Sequence, residues 1–245
     1  MIAGRMSEGS FVATRWSLVA RSAGDSPSSR AALAWLCEAY WEPLLRFARR
    51  RGYDHHDAQD AVQTFFARLI ERGVAAEADP VKGRFRTFLL AVFSCQLAHE
   101  RERTRALKRG GGRHEEQLDA RVDDGPAAPG TDPDFDRDWA RAVLARAISR
   151  LADEQPDDRR RTVFAALKRF LAADGDAAAY AAAGAPLGMG EGAVKVAVHR
   201  LRQRFRAALR TEVAETVADP ERSGAVDEEL DDLLQALSGG LAESL

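Results

Sequence analysis

Apolar residues recur every three or four positions along most of this chain, which is the period of amphipathic α-helices. Alternating β-branched runs and Asn-Gly hairpin turns are missing from the sequence, so the pattern indicates an all-α fold. The predicted helices run from about Ser28 to Arg51, His56 to Arg72, Phe85 to Lys108, Asp136 to Leu151, Pro156 to Leu171, Asp176 to Ala183, Glu191 to Arg210 and Val226 to Leu237. Gly52 is placed to end the first of them.

A segment rich in Gly, Pro and Asp separates the two halves of the chain. Three consecutive glycines, Gly110–Gly112, and the run DDGPAAPGTDPD have the composition of a linker. We therefore expect two small helical domains joined by a flexible linker. The expected divisions are an N-terminal lead at 1–27, a first domain at 28–109, the linker at 110–134, a second domain at 135–210 and a C-terminal extension at 211–245.

Charge is distributed unevenly, although the formal net charge is only −2. Arg101 to Arg113 carries six basic residues and one acid, and Glu191 to Arg210 carries the same numbers. Glu212 to Leu245 carries ten acids and a single Arg. Blocks of this kind mark separate surfaces or tails with different partners, and a basic block is compatible with nucleic acid.

The segment from Ala177 to Arg210 has the layout of a helix-turn-helix. A short alanine-rich helix is followed by the Gly-rich turn GAPLGMGEG and then by a longer helix. In that helix an apolar stripe contains Val194, Val198, Leu201, Phe205 and Leu209, and a cationic stripe contains Lys195, His199, Arg202 and Arg206. The stripes lie about a quarter-turn apart, so one can pack on the domain while the other enters a DNA groove. The alternatives are a basic amphipathic helix on the protein surface or a helix that lies on a membrane surface, and the preceding helix and turn disfavour both.

The run LGMGEGAVKVAVHRLRQRFRAALR resembles the last helix-turn-helix of extracytoplasmic-function (ECF) sigma factors. Their usual form reads LG-x-S-E-G-A-V-K-V-x-x-H-R-x-R, and Gly190 here replaces a Ser that would cap the helix. The resemblance implies contact with the upstream (−35) promoter element. The residues it places toward DNA are Glu191, Lys195, Val196, His199 and Arg200, with Arg202, Arg204 and Arg206 as further phosphate contacts.

The first half of the chain also resembles this family, and the likeness extends over about residues 12 to 210. The run DAQDAVQTFF, Asp57 to Phe66, is similar to the start of the helix that docks on the clamp helices of the largest subunit of RNA polymerase. The resemblance implies that polymerase is bound by Asp57, Asp60, Gln63, Phe66 and Arg68. Judged on its residues alone, the segment is an ordinary core helix with solvated polar side chains.

The run GRFRTFLLAVFSCQLAHERERTRALKR resembles the helix that melts and reads the downstream (−10) element. Basic residues interleaved with aromatic rings suit single-stranded DNA, whose bases stack on rings. The residues implied in this contact are Lys82, Arg84, Phe85, Arg86, Phe88, Cys95 and His99. The sequence departs from the family at Phe93, Ser94 and Cys95, where Ala-Arg-Asn is common, and at His99, where Asp is common. These departures affect which base is read.

The resemblance implies an atypical ECF sigma factor with a C-terminal extension, whose partners are core RNA polymerase, promoter DNA and an anti-sigma factor. It implies no enzymatic activity, no cofactor and no bound metal. The two cysteines, Cys37 and Cys95, form no disulfide framework or zinc pattern, and no apolar run reaches the roughly 20 residues of a membrane helix. We therefore expect a cytoplasmic protein that binds no membrane.

Two rival functions and one hypothesis about the tail complete the expectations. His55, His56, Asp57 and Asp60 could belong to a metal-dependent phosphohydrolase, although Asp at a helix start is expected for capping. The other rival is a helix-turn-helix regulator that binds duplex DNA without polymerase.

The acidic tail could fold over the basic recognition helix and weaken DNA binding, or serve only as a solubilising tail.

Overall fold

The computed structural model describes residues 27–71, 84–108, 132–217 and 222–242. Within these ranges it contains eight α-helices and no strand, so the all-α prediction is confirmed. The helices are α1 (Pro27–Arg50), α2 (His55–Glu71), α3 (Phe85–Lys108), α4 (Pro133–Asp153), α5 (Asp158–Leu167), α6 (Ala177–Gly184), α7 (Glu191–Ala214) and α8 (Ala225–Ala242). Short 3₁₀ helices, Lys168–Leu171 and Ala185–Leu187, follow α5 and α6. No helix in the described ranges is both long and apolar enough to cross a bilayer.

Helix boundaries follow local signals in the sequence. Gly52 adopts a φ of 88°, a left-handed conformation that ends α1 as expected. Asp54 accepts a hydrogen bond from the main-chain N–H of Asp57 at 2.8 Å and so caps α2. Helix α7 departs from its predicted limits, because it continues to Ala214 rather than ending at Arg210. The extra turn is stabilised by the burial of Val213 and by the pairing of Glu212 with two arginines of α4, neither of which the local sequence pattern predicts.

The described residues form two compact units. One contains the chain up to Trp139 together with the residues from Glu215 onward, and the other contains Ala140–Ala214. The long helix α4 therefore contributes its first turns to one unit and the remainder to the other. The predicted N-terminal lead, 1–27, and linker, 110–134, lie almost entirely outside the described residues.

The first unit is organised around Phe93 on α3. Phe93 is fully buried, and its ring lies 6.2 Å from that of Phe47 on α1 and 5.2 Å from that of Phe65 on α2. Phe135, at the start of α4, packs edge-on against Phe47 at 6.1 Å. Aromatic pairs in this geometry contribute about 0.5–1.5 kcal/mol beyond the burial of their area. The three first helices and the start of α4 therefore share one core.

Ion pairs attach the start of α4 to α1. Asp138 is buried, and its two carboxylate oxygens lie 3.1 Å from Arg46 Nη1 and 2.5 Å from Arg50 Nη1. A carboxylate between two guanidinium groups satisfies the requirement that a buried charge be paired. Asp132 accepts a hydrogen bond from the N–H of Phe135 at 2.9 Å and caps the helix.

The second unit is the helix-turn-helix with its supporting helices. Its core contains Ala147, Leu151, Phe164, Leu167, Phe170, Tyr180, Ala183, Val194, Val198, Leu201 and Ala208. These residues come from α4, α5, the 3₁₀ helix that follows it, α6 and α7. Glu212 extends this packing, since its carboxylate lies 2.7 Å from Arg146 Nη2 and 2.9 Å from Arg150 Nη1. The last turn of α7 is thereby bound to α4.

Candidate nucleic-acid interface

The turn between α6 and α7 depends on two glycines. Gly188 has a φ of 64°, a left-handed conformation that side chains rarely adopt. At Gly184 a Cβ atom would lie 2.2 Å from the carbonyl oxygen of Met189 and 2.9 Å from Cγ2 of Val194. The close approach of α6 to the start of α7 is therefore possible only because residue 184 has no side chain.

The first helix of the motif is capped by a side chain. Asp176 accepts a hydrogen bond from the N–H of Ala179 at 2.7 Å, while its own carbonyl accepts from Tyr180. At the start of α7, Gly190 accepts from the N–H of Val194 at 3.1 Å, and a Cβ added to Gly190 would meet nothing within 4 Å. The Ser that the family usually carries there would consequently fit without rearrangement.

Helix α7 has one buried and one exposed face. Val194, Val198 and Leu201 are buried in the core of the second unit, as the apolar stripe predicts. Lys195, His199, Arg200, Arg204 and Arg206 are exposed, and Glu191 is half-buried. Val196 lies among these polar residues and is 52% exposed. The result is a cationic helix face with one apolar contact point.

Neighbouring side chains on this exposed face are held by hydrogen bonds. Lys195 Nζ lies 2.6 Å from Glu191 Oε1, and this contact raises the pKa of Lys195 above its ordinary value. The side chain of Gln203 lies 3.0 Å from His199 Nε2. Gln203 was not among the residues expected at the interface, although its spacing of four from His199 places it on the same face.

Two arginines of α7 are engaged within the second unit. Arg202 donates to the main-chain oxygens of Phe170 and Ala173 and pairs with Asp174, so it stabilises the end of the 3₁₀ helix. Arg202 is one of the predicted phosphate contacts, and in this structure its guanidinium makes these internal contacts. Arg204 Nη2 lies 2.8 Å from Glu154 Oε2 in a pair that is about half exposed.

The expected −10 residues at the start of α3 are partly buried. Phe85 is 4% exposed and packs edge-on against Tyr40 at 5.9 Å. Arg86 is also 4% exposed, with its guanidinium carbon 4.3 Å from the ring centroid of Trp139 and its Nε 2.9 Å from Asp136. Phe85 and Arg86 were expected to reach DNA, and in this structure they belong to the core of the first unit. Lys82 lies outside the described residues.

The remaining expected −10 residues share one stripe of α3. Phe88 and Cys95 are half-buried and His99 is exposed. Their spacings of seven and four bring them to within about 60° around the helix axis. Arg84 lies just before α3 with 43% of its side chain exposed. An aromatic ring, a thiol and an imidazole thus line one accessible side of this helix.

Acids of α8 are paired with the arginines that flank Phe85. Glu229 Oε2 lies 3.0 Å from Arg84 Nε, and Glu229 Oε1 accepts a hydrogen bond from Arg86. Asp232 also contacts Arg84. Two acids of the C-terminal extension, Glu229 and Asp232, thus lie beside the start of α3 within the first unit. The predicted amphipathic helix is present and longer than expected.

The expected polymerase-binding residues lie on α2. Asp57, Asp60 and Gln63 are exposed at spacings of three and form a polar stripe, with Arg68 half-buried further along. Phe66 is 4% exposed and stacks on Trp41 at 6.2 Å, with ring planes 11° apart. Phe66 therefore supports α2 from within the core, whereas a surface position had been expected.

The histidines at the start of α2 are arranged as surface residues. His56 Nδ1 lies 3.2 Å from Asp60 Oδ2, and both side chains are largely exposed. A backbone hydrogen bond, together with the charge of Asp60, raises the pKa of His56. Among the described residues no group of three or more His, Cys, Asp or Glu side chains is arranged to hold a metal ion.

Comparison with known proteins identifies the family of the chain. The family model described as ECF sigma factor matches residues 21–211, which includes α1 to α6 and nearly all of α7. No curated protein and no solved structure matches the chain. Helix α8 lies beyond the matched residues.

Proposed function

Because the chain belongs to the ECF sigma factor family, we propose that it binds core RNA polymerase and directs promoter-specific initiation of transcription. In this role α7 reads the −35 element, α3 contacts the −10 element, and the polar stripe of α2 binds the clamp helices of the largest polymerase subunit. The observation that carries the proposal is the exposed cationic face of α7, supported by a buried apolar face. The proposed activity involves binding alone, with no bond made or broken by the protein.

Recognition of the −35 element is supported by the chemistry of the exposed face of α7. Lys195, Arg200 and Arg206 can donate to phosphates or to acceptors on guanine, and His199 adds a further polar contact. Val196 suits the methyl group of a thymine, which is the apolar feature of the major groove. Because Val194 and Val198 are fixed in the core, these side chains are presented on a rigid helix.

Contact with the −10 element is supported by the accessible side of α3. The ring of Phe88 is half-buried and offers a face for stacking an unpaired base, which is worth about 1–3 kcal/mol. His99 lies further along the same stripe and can hydrogen-bond a base edge. Cys95 and His99 occupy positions where the family commonly has other residues, so the base preference of this protein should differ from that of typical members.

Binding to polymerase is assigned to the polar stripe of α2. Asp57, Asp60 and Gln63 project from a helix whose opposite side is anchored by Phe65 and Phe66. Exposed carboxylates favour a basic partner surface and accelerate its encounter. A charge-reversed variant, Asp60→Lys, should therefore reduce binding to core polymerase.

Run-off transcription with purified core RNA polymerase tests the proposal directly. Transcript starts are mapped after overexpression, and one mapped promoter is then transcribed in vitro with core enzyme alone and with core enzyme plus protein. A start at the mapped position only when the protein is added supports the proposal. A protein that binds the promoter duplex but yields no specific start would instead be a helix-turn-helix regulator acting without polymerase.

A further inference from the structure

Helix α8 carries a carboxylate in the middle of its buried side. Ala225, Val226 and Leu233 are buried at spacings that define one apolar stripe, and Glu229 lies on the same side with 8% exposure. An ionised carboxylate in such a position is strongly disfavoured unless it is paired. The exposed side of the helix carries Asp231 and other polar groups, so the buried acid is the exception that needs a partner.

Two guanidinium groups supply that partner. Glu229 bridges Arg86 through one oxygen and Arg84 through the other, the second contact at 3.0 Å. Asp232, one turn further along α8, is a second contact of Arg84. Arg84 therefore faces two carboxylates from one helix, which lies more than 100 residues later in the sequence.

The two arginines differ in what holds them. Arg86 is 4% exposed and is also paired with Asp136 and stacked on Trp139, so it stays anchored without α8. Arg84 keeps 43% of its side chain exposed, and both of the acids described beside it belong to α8. Of these two arginines, Arg84 is therefore the one whose side chain is both accessible and paired with acids of α8.

We propose that α8 is an intramolecular competitor for DNA, in which Glu229 and Asp232 occupy the guanidinium of Arg84 that a phosphate of the −10 strand would otherwise bind. The inference rests on the proposed function, since it concerns regulation of the same −10 contact. Carboxylate and phosphate oxygens make the same charge-assisted hydrogen bonds to a guanidinium group, so the two ligands exclude each other. Displacing α8 from the start of α3 frees one cation for DNA.

The salt dependence of DNA binding measures this competition. Each phosphate neutralised on a single strand contributes about 0.7 to the slope of log K against log salt concentration. In the full-length double variant Glu229→Gln, Asp232→Asn, the slope should therefore become steeper by about 0.7. This corresponds to an additional loss of about 2.6-fold in affinity between 50 and 200 mM salt. The probe is a fluorescent, mixed-sequence single-stranded 25-mer, followed by anisotropy.

A matched variant controls for the loss of negative charge. Asp227→Asn, Asp231→Asn removes two charges from the exposed side of α8, which by helical spacing lies opposite Glu229. Its slope should equal that of the wild type. An equal change in slope in both double variants would overturn the proposal, because the effect would then be one of overall charge.

Arg84→Ala provides a test that does not depend on altering α8. In the wild-type background the arginine is already occupied, so its loss should leave the slope nearly unchanged. In the Glu229→Gln, Asp232→Asn background the same change should remove the added 0.7. If Arg84→Ala flattens the slope of the wild type by that amount, Arg84 is already free to bind DNA and α8 does not compete.

These measurements use no polymerase, so their outcome is separate from that of the run-off assay. A steeper slope together with absent promoter-specific initiation would retain the competition and overturn the sigma-factor role. Specific initiation together with an unchanged slope in the Glu229→Gln, Asp232→Asn variant would retain the sigma-factor role and overturn the competition.

Discussion

The guanidinium of Arg202 donates two hydrogen bonds to the carbonyl oxygen of Phe170, from Nε at 2.9 Å and from Nη2 at 2.6 Å. Charged hydrogen bonds of this kind contribute about 1.5–3 kcal/mol, so Arg202→Ala should lower the free energy of unfolding by about that amount. Arg206→Ala, on the exposed face of the same helix, should change it by no more than about 0.5 kcal/mol. Urea denaturation followed by circular dichroism gives both values. Equal effects of the two substitutions would show that Arg202 has no special structural role.

Gly184 is the position where a single methyl group should disturb the helix-turn-helix. Gly184→Ala places a Cβ 2.2 Å from the oxygen of Met189, and relief of this overlap should destabilise the protein by about 1–3 kcal/mol. Gly192→Ala is the matched control, because a Cβ there meets nothing within 4 Å and alanine favours a helix by up to about 1 kcal/mol. Hydrogen exchange across α6 and α7 should show loss of protection only in the first variant. Unchanged protection in Gly184→Ala would mean that the turn relaxes freely.

Arg206 is an exposed cation on the proposed −35 face. If it contacts a phosphate, Arg206→Ala should flatten the plot of log K against log salt for promoter duplex by about 0.9. Lys168→Ala removes an equal charge from an exposed position on the 3₁₀ helix after α5 and serves as the comparison. Fluorescence anisotropy over a salt series measures both slopes. The assignment of Arg206 is wrong if its removal leaves the slope of the wild type intact.

Glu229 should give the folded protein a distinct pH dependence. Burial raises the pKa of Glu229 above its ordinary value of 4.5, with Arg86 and Arg84 opposing this rise and Asp136 adding to it. A carboxyl group whose pKa is higher in the folded state binds its proton more tightly there. Its contribution to stability is therefore fully present below about pH 4.5 and is lost as the pH rises through the folded pKa.

Comparison with Glu229→Gln isolates this titration from that of the other groups. The unfolding free energy of the wild type minus that of the variant should decrease as the pH rises from about 4.5, measured by urea denaturation at a series of pH values. A difference that instead grows with pH would indicate that the two arginines dominate and hold the pKa of Glu229 below its ordinary value.

The limits of most helices and the existence of the helix-turn-helix follow from local sequence. The apolar stripe of Val194, Val198 and Leu201 predicts which face of α7 is buried, and Gly52 ends α1 where expected. Such features depend on helical period and on backbone conformations that few residues adopt, so residues close together in the sequence are enough to predict them. The family resemblance was likewise carried by contiguous motifs, and the match over residues 21–211 confirms it.

The burial and the partners of individual side chains could not be predicted from the local sequence. Phe66 and Phe85 were expected at binding surfaces and lie in the core, because a ring on a helix is buried or exposed according to what packs against it. Arg202 belongs to the cationic stripe by its spacing, yet its guanidinium donates hydrogen bonds to main-chain carbonyl groups at the end of a 3₁₀ helix. Each outcome depends on a neighbour from another element.

Helix α8 shows most clearly the difference between what local sequence predicts and what tertiary packing determines. Its acidic composition and amphipathic period are visible in the sequence, and they predict a helix with an affinity for cations. Several basic segments of the chain could have paired with these acids equally well, since Coulomb attraction does not specify a partner. Packing of Ala225, Val226 and Leu233 in the first unit brings Glu229 to Arg84 and Arg86. The sequence by itself determined that an acidic helix would form, and only the tertiary structure decided which arginines it covers.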